Sequence, residues 1–454
     1  MHTDFSKTGP RGPISARQNH QRTLRCRGVS ALGIAVVVAL LGFPATAATT
    51  KRPSKARTTT STSVPPLGSV PTLAPTTITP VSTAPIRIMV TYIDTVTTNT
   101  QFILAAARAR ADAQNAAGGV KGRKIEIDPC NMRFDLAASE ACARLAVSSK
   151  VDAYIAAAPL VAAPPSAGLL GGVSDTATIL PILADGGVPW LGAFLTAGGL
   201  EASSPVAFPL QSAVVSVAGA AIALVNDGCR RIAFLGGAVG REPFRKGLAS
   251  KGMEPVFEGL FSFSDPAAVI PALAARNVDC IYLGALDTSI KTFVEAADRA
   301  GQAFRYAWIN DLVSERTLAQ LGPTLDGSIV SGSTRSGMDL SDPNVRQYRT
   351  ELDKNYPGQK YDSGGFIIWG GVDMVMQVAR GIDGDVNAAT LLKAFRTFKA
   401  TTALFGPIDF TRELGNPQYR RMFMTNAFTY RIVLAKPVRT GEPLNLAPLF
   451  DKVS

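Results

Sequence analysis

The stretch that most constrains this chain is FILAAARARADAQNAAGGVKGRKIEID, Phe102 to Asp128. Phe102 through Ala117 is rich in Ala and contains neither Gly nor Pro, the composition of a strong helix. The Gly118-Gly119 pair supplies the positive φ that ends such a helix. Arg123 to Asp128 alternates charged with apolar residues, which is the period of a strand. Upstream, Ile86 to Ile93 (IRIMVTYI) is a second β-rich run. Strand, helix and strand in this order form a parallel crossover, so the fold class is α/β.

The same alternation continues down the chain. A helix is expected over Asp135–Ser149, a strand over Val151–Ala157, a helix over Thr176–Asp185 and a strand over 188–194. A second series opens with a helix at Ala213–Asn226, then strand Arg231–Leu235, helix Glu242–Lys251 and strand Val256–Phe263. Helix 266–276, strand Val278–Gly284, helix 287–301 and strands 304–309 and 327–331 follow. Helices at 342–355, 364–382 and 388–398 precede the phrase GPIDFTRELGN and a strand-like segment at 421–435. Two such runs predict two doubly wound parallel-sheet lobes. No repeat of fixed period is visible, so a solenoid is not supported.

Charge looks at first like a nucleic-acid signal, at +11 over 454 residues. Residues 1–47 hold six Lys/Arg and one acid, and residues 48–85 hold four Lys/Arg and none. That leaves +2 on the remaining 369 residues, so a nucleic-acid partner is not expected. Residues 1–47 read as a signal peptide: basic residues, the apolar run ALGIAVVVALLGF, and Ala45-Thr46-Ala47 as a small-x-small cleavage site. An uncleaved signal anchor is the alternative. Cys26 precedes the apolar run and cannot be a lipobox cysteine. Residues 48–85, mostly Thr, Pro and Ser, read as a disordered linker. Both histidines, His2 and His20, lie in the leader. The exported chain therefore has no His for a catalytic triad or a metal site, and neither metal nor cofactor is expected.

Four cysteines remain after the leader: Cys130, Cys142, Cys229 and Cys280. An even number in an exported chain favours disulfides, although sequence alone does not assign the pairs. Cys130 follows a strand and Cys142 lies in the next helix, within reach of a local bridge. Cys229 immediately precedes strand Arg231–Leu235 and Cys280 lies within strand Val278–Gly284, strands that can run close. Buried thiols are the other reading.

The phrases NAAGGVKGR, GVPWLGAFLTAGGL at 187–200, and FGPIDF followed by Arg412 resemble type I periplasmic solute-binding proteins, the branched-chain amino-acid family above all. The resemblance spans roughly Ile86–Pro437. It implies lobe 1 at 86–208 plus 333–400, lobe 2 at 209–332 plus 401–437, hinge crossovers, an interlobe cleft and a tail at 438–454. It also implies an early disulfide, a monomer, and delivery of a small solute to an ABC permease. Candidate ligand contacts follow from strand ends and from the family's motifs. They are Thr98 and Asn99, either of which can instead cap the first helix; Leu195 and Thr196, the latter on a family threonine that holds a carboxylate; Arg241, which with Glu242 also reads as a solvated pair; Asp287; and Asp311, placed to meet an ammonium or to cap the next helix. One departure stands out. AAPLVAAPPSAGLL replaces the family's Ser-containing turn after strand three, which weakens the case for an amino acid and leaves amides and organic acids open.

Three functions compete on these residues: a transport binding protein, a ligand-sensing receptor, and an interaction scaffold of the same fold. An enzyme is not expected, since no G-x-S-x-G elbow, P-loop or H-E-x-x-H helix occurs.

Overall fold

The computed structural model describes residues 82–96, 99–133, 135–156, 176–192, 199–260, 265–285, 287–310, 312–361 and 363–452. The leader, nearly all of the linker, and Thr98, Leu195, Thr196 and Asp311 lie outside the described residues. Strand β1 (Ile86–Tyr92) leads to helix α1 (Gln101–Ala116), which stops at Gly118 and Gly119 with φ of 98° and 74°. β2 (Ile125–Asn131), α2 (Leu136–Ser148), β3 (Ala153–Ala156), α3 (Thr176–Asp185) and β4 (Trp190–Gly192) complete the first series. Its sheet is all parallel in the order β2-β1-β3-β4, with Ile86 opposite Ile125 and Ile88 opposite Ala153.

The second series begins with α4 (Ala213–Asn226), β5 (Ile232–Leu235), α5 (Ala238–Ala249), β6 (Phe257–Gly259) and the short α6 (Ile270–Ala274). It continues with β7 (Cys280–Leu283), α7 (Asp287–Arg299), β8 (Arg305–Ile309), α8 (Glu315–Leu321) and β9 (Ile329–Gly332). Strands such as IAFL and CIYL are buried throughout, as parallel strands covered by helices on both faces must be. The parallel order β6-β5-β7-β8-β9 repeats the first lobe's pattern, so each sheet reverses direction beside its own first strand. Helices α9 (Pro343–Asn355), α10 (Ser363–Arg380) and α11 (Ala388–Phe395) return to the first lobe, where Tyr348, Trp369 and Phe395 share a core with Ile88 and Ile155.

The remainder differs from the sequence reading in three places. The hairpin of β10 (Lys399–Thr402) and β11 (Gly406–Asp409) places Leu404, Phe405, Ile408 and Phe410 in the first lobe's core, although residues from 401 onward were expected in the second. Residues 438–452 are no tail. β12 (Asn426–Val433) pairs antiparallel with β9, with β13 (Lys436–Arg439) and with β14 (Leu444–Asn445), and α12 (Ala447–Phe450) follows. The reason is α4, buried all round from Ala213 to Leu224. One of its faces meets the sheet through Val217 and Leu224, and the other needs Leu446 and Phe450 as a cover. Finally, α5 starts four residues before its expected Glu242. Pro243 stands inside the helix rather than opening it, at the loss of one backbone hydrogen bond. Close approach of α5 to α4 rests on Gly247, where a Cβ would lie 2.6 Å from the Ala218 carbonyl oxygen.

Both disulfides form as the spacing allowed: Cys130–Cys142 ties β2 to α2, and Cys229–Cys280 ties the approach to β5 to β7, with Ile232 directly opposite Cys280. No helix among the described residues is long and apolar enough to cross a membrane. The sequence separations are 12 and 51 residues, so loop entropy makes the second bridge worth about 4 kcal/mol and the first about 3. Urea unfolding of the two double Cys→Ala variants should rank them in that order; a larger loss at Cys130–Cys142 would refute the entropic account.

Candidate functional site

In open parallel sheets a ligand sits beyond the carboxyl ends of the strands, where the strand order reverses. In lobe 1 that point lies between β1 and β3, and in lobe 2 between β5 and β7. Described residues between β1 and α1 are tied together by their side chains. Asp94 accepts from Asn99 Nδ2 at 3.1 Å and from Gln101 Nε2 at 2.7 Å, while Asn99 Oδ1 accepts the Gln101 N–H at 2.9 Å. Thr100 Oγ1 takes the Ile93 N–H at 2.7 Å, and Asn131 Oδ1 takes that of Asp94 at 3.1 Å. Both ends of the Asn99 amide are thus engaged beside the start of α1, close to its expected capping role.

In lobe 2, β5 ends in Gly236-Gly237 and runs straight into α5. Arg241 is therefore not in a loop but in the first turn of that helix. Glu242 does not pair with it. Its carboxylate accepts from the Tyr419 hydroxyl at 2.9 Å and meets Lys246 at 3.2 Å. Arg241 is half-buried; among the described residues no carboxylate meets it, and its Nε is buried without a hydrogen-bond acceptor. A buried N–H without an acceptor is costly, which sets this arginine apart from the ion-paired Lys246 on the same helix.

Asp287 stands at the start of α7, beyond β7. Its carboxylate accepts the Ser314 N–H at 2.9 Å and the Ser314 hydroxyl at 2.8 Å, tying α7 to the cap of α8. It also lines a cavity of about 260 Å³, with Ser314, Glu315 and Arg316 on the same side and Gln359, Lys360 and Tyr361 facing them from the segment before α10. At the end of β8, buried Asn310 donates to the Thr334 carbonyl at 2.9 Å and leaves its Oδ1 without a donor. Elsewhere Cys229, Asp279 and Cys280 cluster, but the two sulfurs are bonded to each other. Asp279 meanwhile accepts the Arg230 and Arg231 N–H groups at 2.8 and 3.0 Å, so no thiolate remains for a metal.

The lobes are joined through buried polar backbone. Ser333 Oγ accepts the Ser212 N–H at 2.7 Å, Ser216 Oγ accepts the Ser333 N–H at 2.9 Å, and the same hydroxyl donates to the Ser212 carbonyl at 2.9 Å. Arg335 binds the second crossover to the β10–β11 hairpin through the Ala403 carbonyl at 2.6 Å. A third crossing is braced by Arg421, 7% exposed, which donates to the Ala207 carbonyl and to Glu413, each at 2.9 Å. Its guanidinium lies 5.1 and 5.0 Å from the ring centroids of Phe208 and Phe423, and burial lowers its pKa. Arg412, which follows the FGPIDF phrase, is exposed. Nothing in the local pattern separates the two arginines.

The family model described as periplasmic binding protein matches residues 95–429. A search of the curated proteins finds no match. Among solved structures, the chain is similar to a fatty acid ABC transporter substrate-binding protein from Thermomonospora curvata, with TM-score 0.64 and 17% identity over 82% of this chain and 95% of that one. It is similar to a solute-binding protein of an ABC transporter from R. palustris in complex with benzoate (TM-score 0.60, 15% identity, 79% and 97% covered). A third is the ABC transporter substrate-binding protein from Desulfitobacterium hafniense in complex with Leu (TM-score 0.59, 16% identity, 78% and 99% covered). At these identities the likeness is one of fold.

Loss of the buried charged hydrogen bonds in Arg421→Met should cost about 2–3 kcal/mol in urea unfolding. Arg412→Met should stay within about 0.5 kcal/mol. Equal losses would show that Arg421 is no brace.

Proposed function

The chain belongs to the periplasmic binding protein family, and on that premise we propose that its solute is a small carboxylate whose charge is met by Arg241. The unpaired guanidinium beside the second lobe's strand-order reversal carries this reading. The protein captures a small solute for ABC import, work done outside the cytoplasm and without chemical change to the solute. The solutes named for the similar structures, benzoate, leucine and a fatty acid, differ in shape and polarity and have a carboxylate in common. By the family resemblance Thr98, Leu195, Thr196 and Asp311 would also contact the solute. The altered turn after strand three removes part of the family's grip on an amino acid's α-carboxylate, so a carboxylate here leans on Arg241 instead.

The mechanism is closure. A solute that touches both lobes binds the closed form better than the open one, and so shifts the population toward it. A dissociation constant of about 1 μM, near −8 kcal/mol, would serve an importer. The leader at 1–47 would export the chain, and the linker at 48–85 would hold the folded monomer clear of the membrane.

A thermal-melt screen of the full chain against benzoate, 4-hydroxybenzoate, octanoate, leucine and benzamide tests the proposal. A ligand at a hundred times its dissociation constant adds about 2.7 kcal/mol, a visible shift. Acids should shift the melt and benzamide should not, and Arg241→Met should weaken the best acid at least about tenfold. Equal response to acid and amide, or an unaltered Arg241→Met, would defeat it.

A further inference from the structure

Helix α9 is rooted in lobe 1 by Val345, Tyr348 and Leu352, and α8 is rooted in lobe 2 by Leu318 and Leu321. Between them reaches Arg349. Its Nη2 meets the Glu315 carboxylate on the first residue of α8 and also donates to the Gly337 carbonyl at 3.2 Å, just past the second crossover. The guanidinium lies 4.5 Å from the centroid of the Tyr361 ring, and the Tyr361 hydroxyl is held by Asp353. The Arg349 side chain is only 14% exposed. The cavity of about 260 Å³ beside it has one wall from each lobe, so apolar packing does not bond the lobes at this point.

We infer that Arg349 is a positioning residue for closure. It is an ionic strut, rooted in one lobe and grasping Glu315 on the other, that holds the lobes at the separation seen here. Its stem and ring contacts fix the cation on lobe 1, so the ion pair to Glu315 is the part that a hinge motion must break. Half-exposed Glu315 keeps the strut accessible to salt, so its hold weakens as ionic strength rises. A strut of this kind changes solute affinity without touching the solute, through the fraction of molecules already near the closed form. Only this consequence for affinity rests on the solute-capture reading; the effect on lobe separation does not.

The test is ligand-free. Spin labels at Leu145→Cys in lobe 1 and Val438→Cys in lobe 2, both exposed positions, report the interlobe distance in the full chain with Cys26→Ser. Arg349→Met, which keeps the aliphatic stem, and Glu315→Gln should each lengthen and broaden that distance while the melting temperature stays near that of the parent. High salt should do the same to the parent and little to either variant. The swap of Arg349→Glu with Glu315→Arg should restore the short distance. With benzoate as probe, each single variant should bind about two- to fivefold more weakly. An unchanged or shorter distance in both single variants would overturn the strut, whatever benzoate does. A lengthened distance with no benzoate binding would leave the strut standing and count against the carboxylate reading instead.

Discussion

The whole arrangement depends on carrying the chain between lobes through a dry junction. A buried backbone N–H or carbonyl without a partner costs about 1–3 kcal/mol, and the crossovers hold several. Ser212, Ser216 and Ser333 resolve this with three hydrogen bonds among themselves, all fully buried. The Ser333 and Ser216 hydroxyls each take a backbone N–H from the other stretch of chain, so the two crossovers are fastened side by side. Arg335 and Arg421 extend the fastening to the β10–β11 hairpin and the third crossing. The same bonds that satisfy the backbone thereby create a compact axis about which two otherwise separate cores can turn.

From that axis the site follows. The two sheets share one strand order, and each reverses beside its own first strand, where a ligand of an open parallel sheet sits. Asp94, Asn99 and Gln101 stiffen the lobe 1 side among themselves. On the lobe 2 side the Arg241 Nε meets no acceptor among the described residues, while Glu242 and Asp287 are committed to Tyr419 and Ser314. Side chains at adjacent strand ends thus differ in whether the fold itself engages them.

Much of the architecture was legible beforehand because it is locally encoded. Helix α3 and helix α4 fall on their expected residues, since apolar periodicity and the caps around them lie within a dozen positions. Helix α5 starts at Ala238 rather than the expected Glu242, with Pro243 inside it and Gly247 and Phe244 buried against the lobe. The Cys229–Cys280 bridge was feasible on paper, but only the β5–β7 register brings the sulfurs together. Arg421 and Arg349 carried no sequence signal for these roles, because the Ala207 carbonyl and Glu315 that define them lie far away along the chain.

Sequence by itself determined the alternation of strands and helices, the two series, the neutral folded region beyond a basic leader and linker, and the absence of histidine from that region. These are properties of composition and short-range period, and each residue states them alone. Tertiary structure decided which arginine braces a hinge and which waits unpaired, why residues 438–452 fold over α4, and where the lobes grip each other. Those outcomes depend on which groups lose water together, and that is set only when distant segments meet.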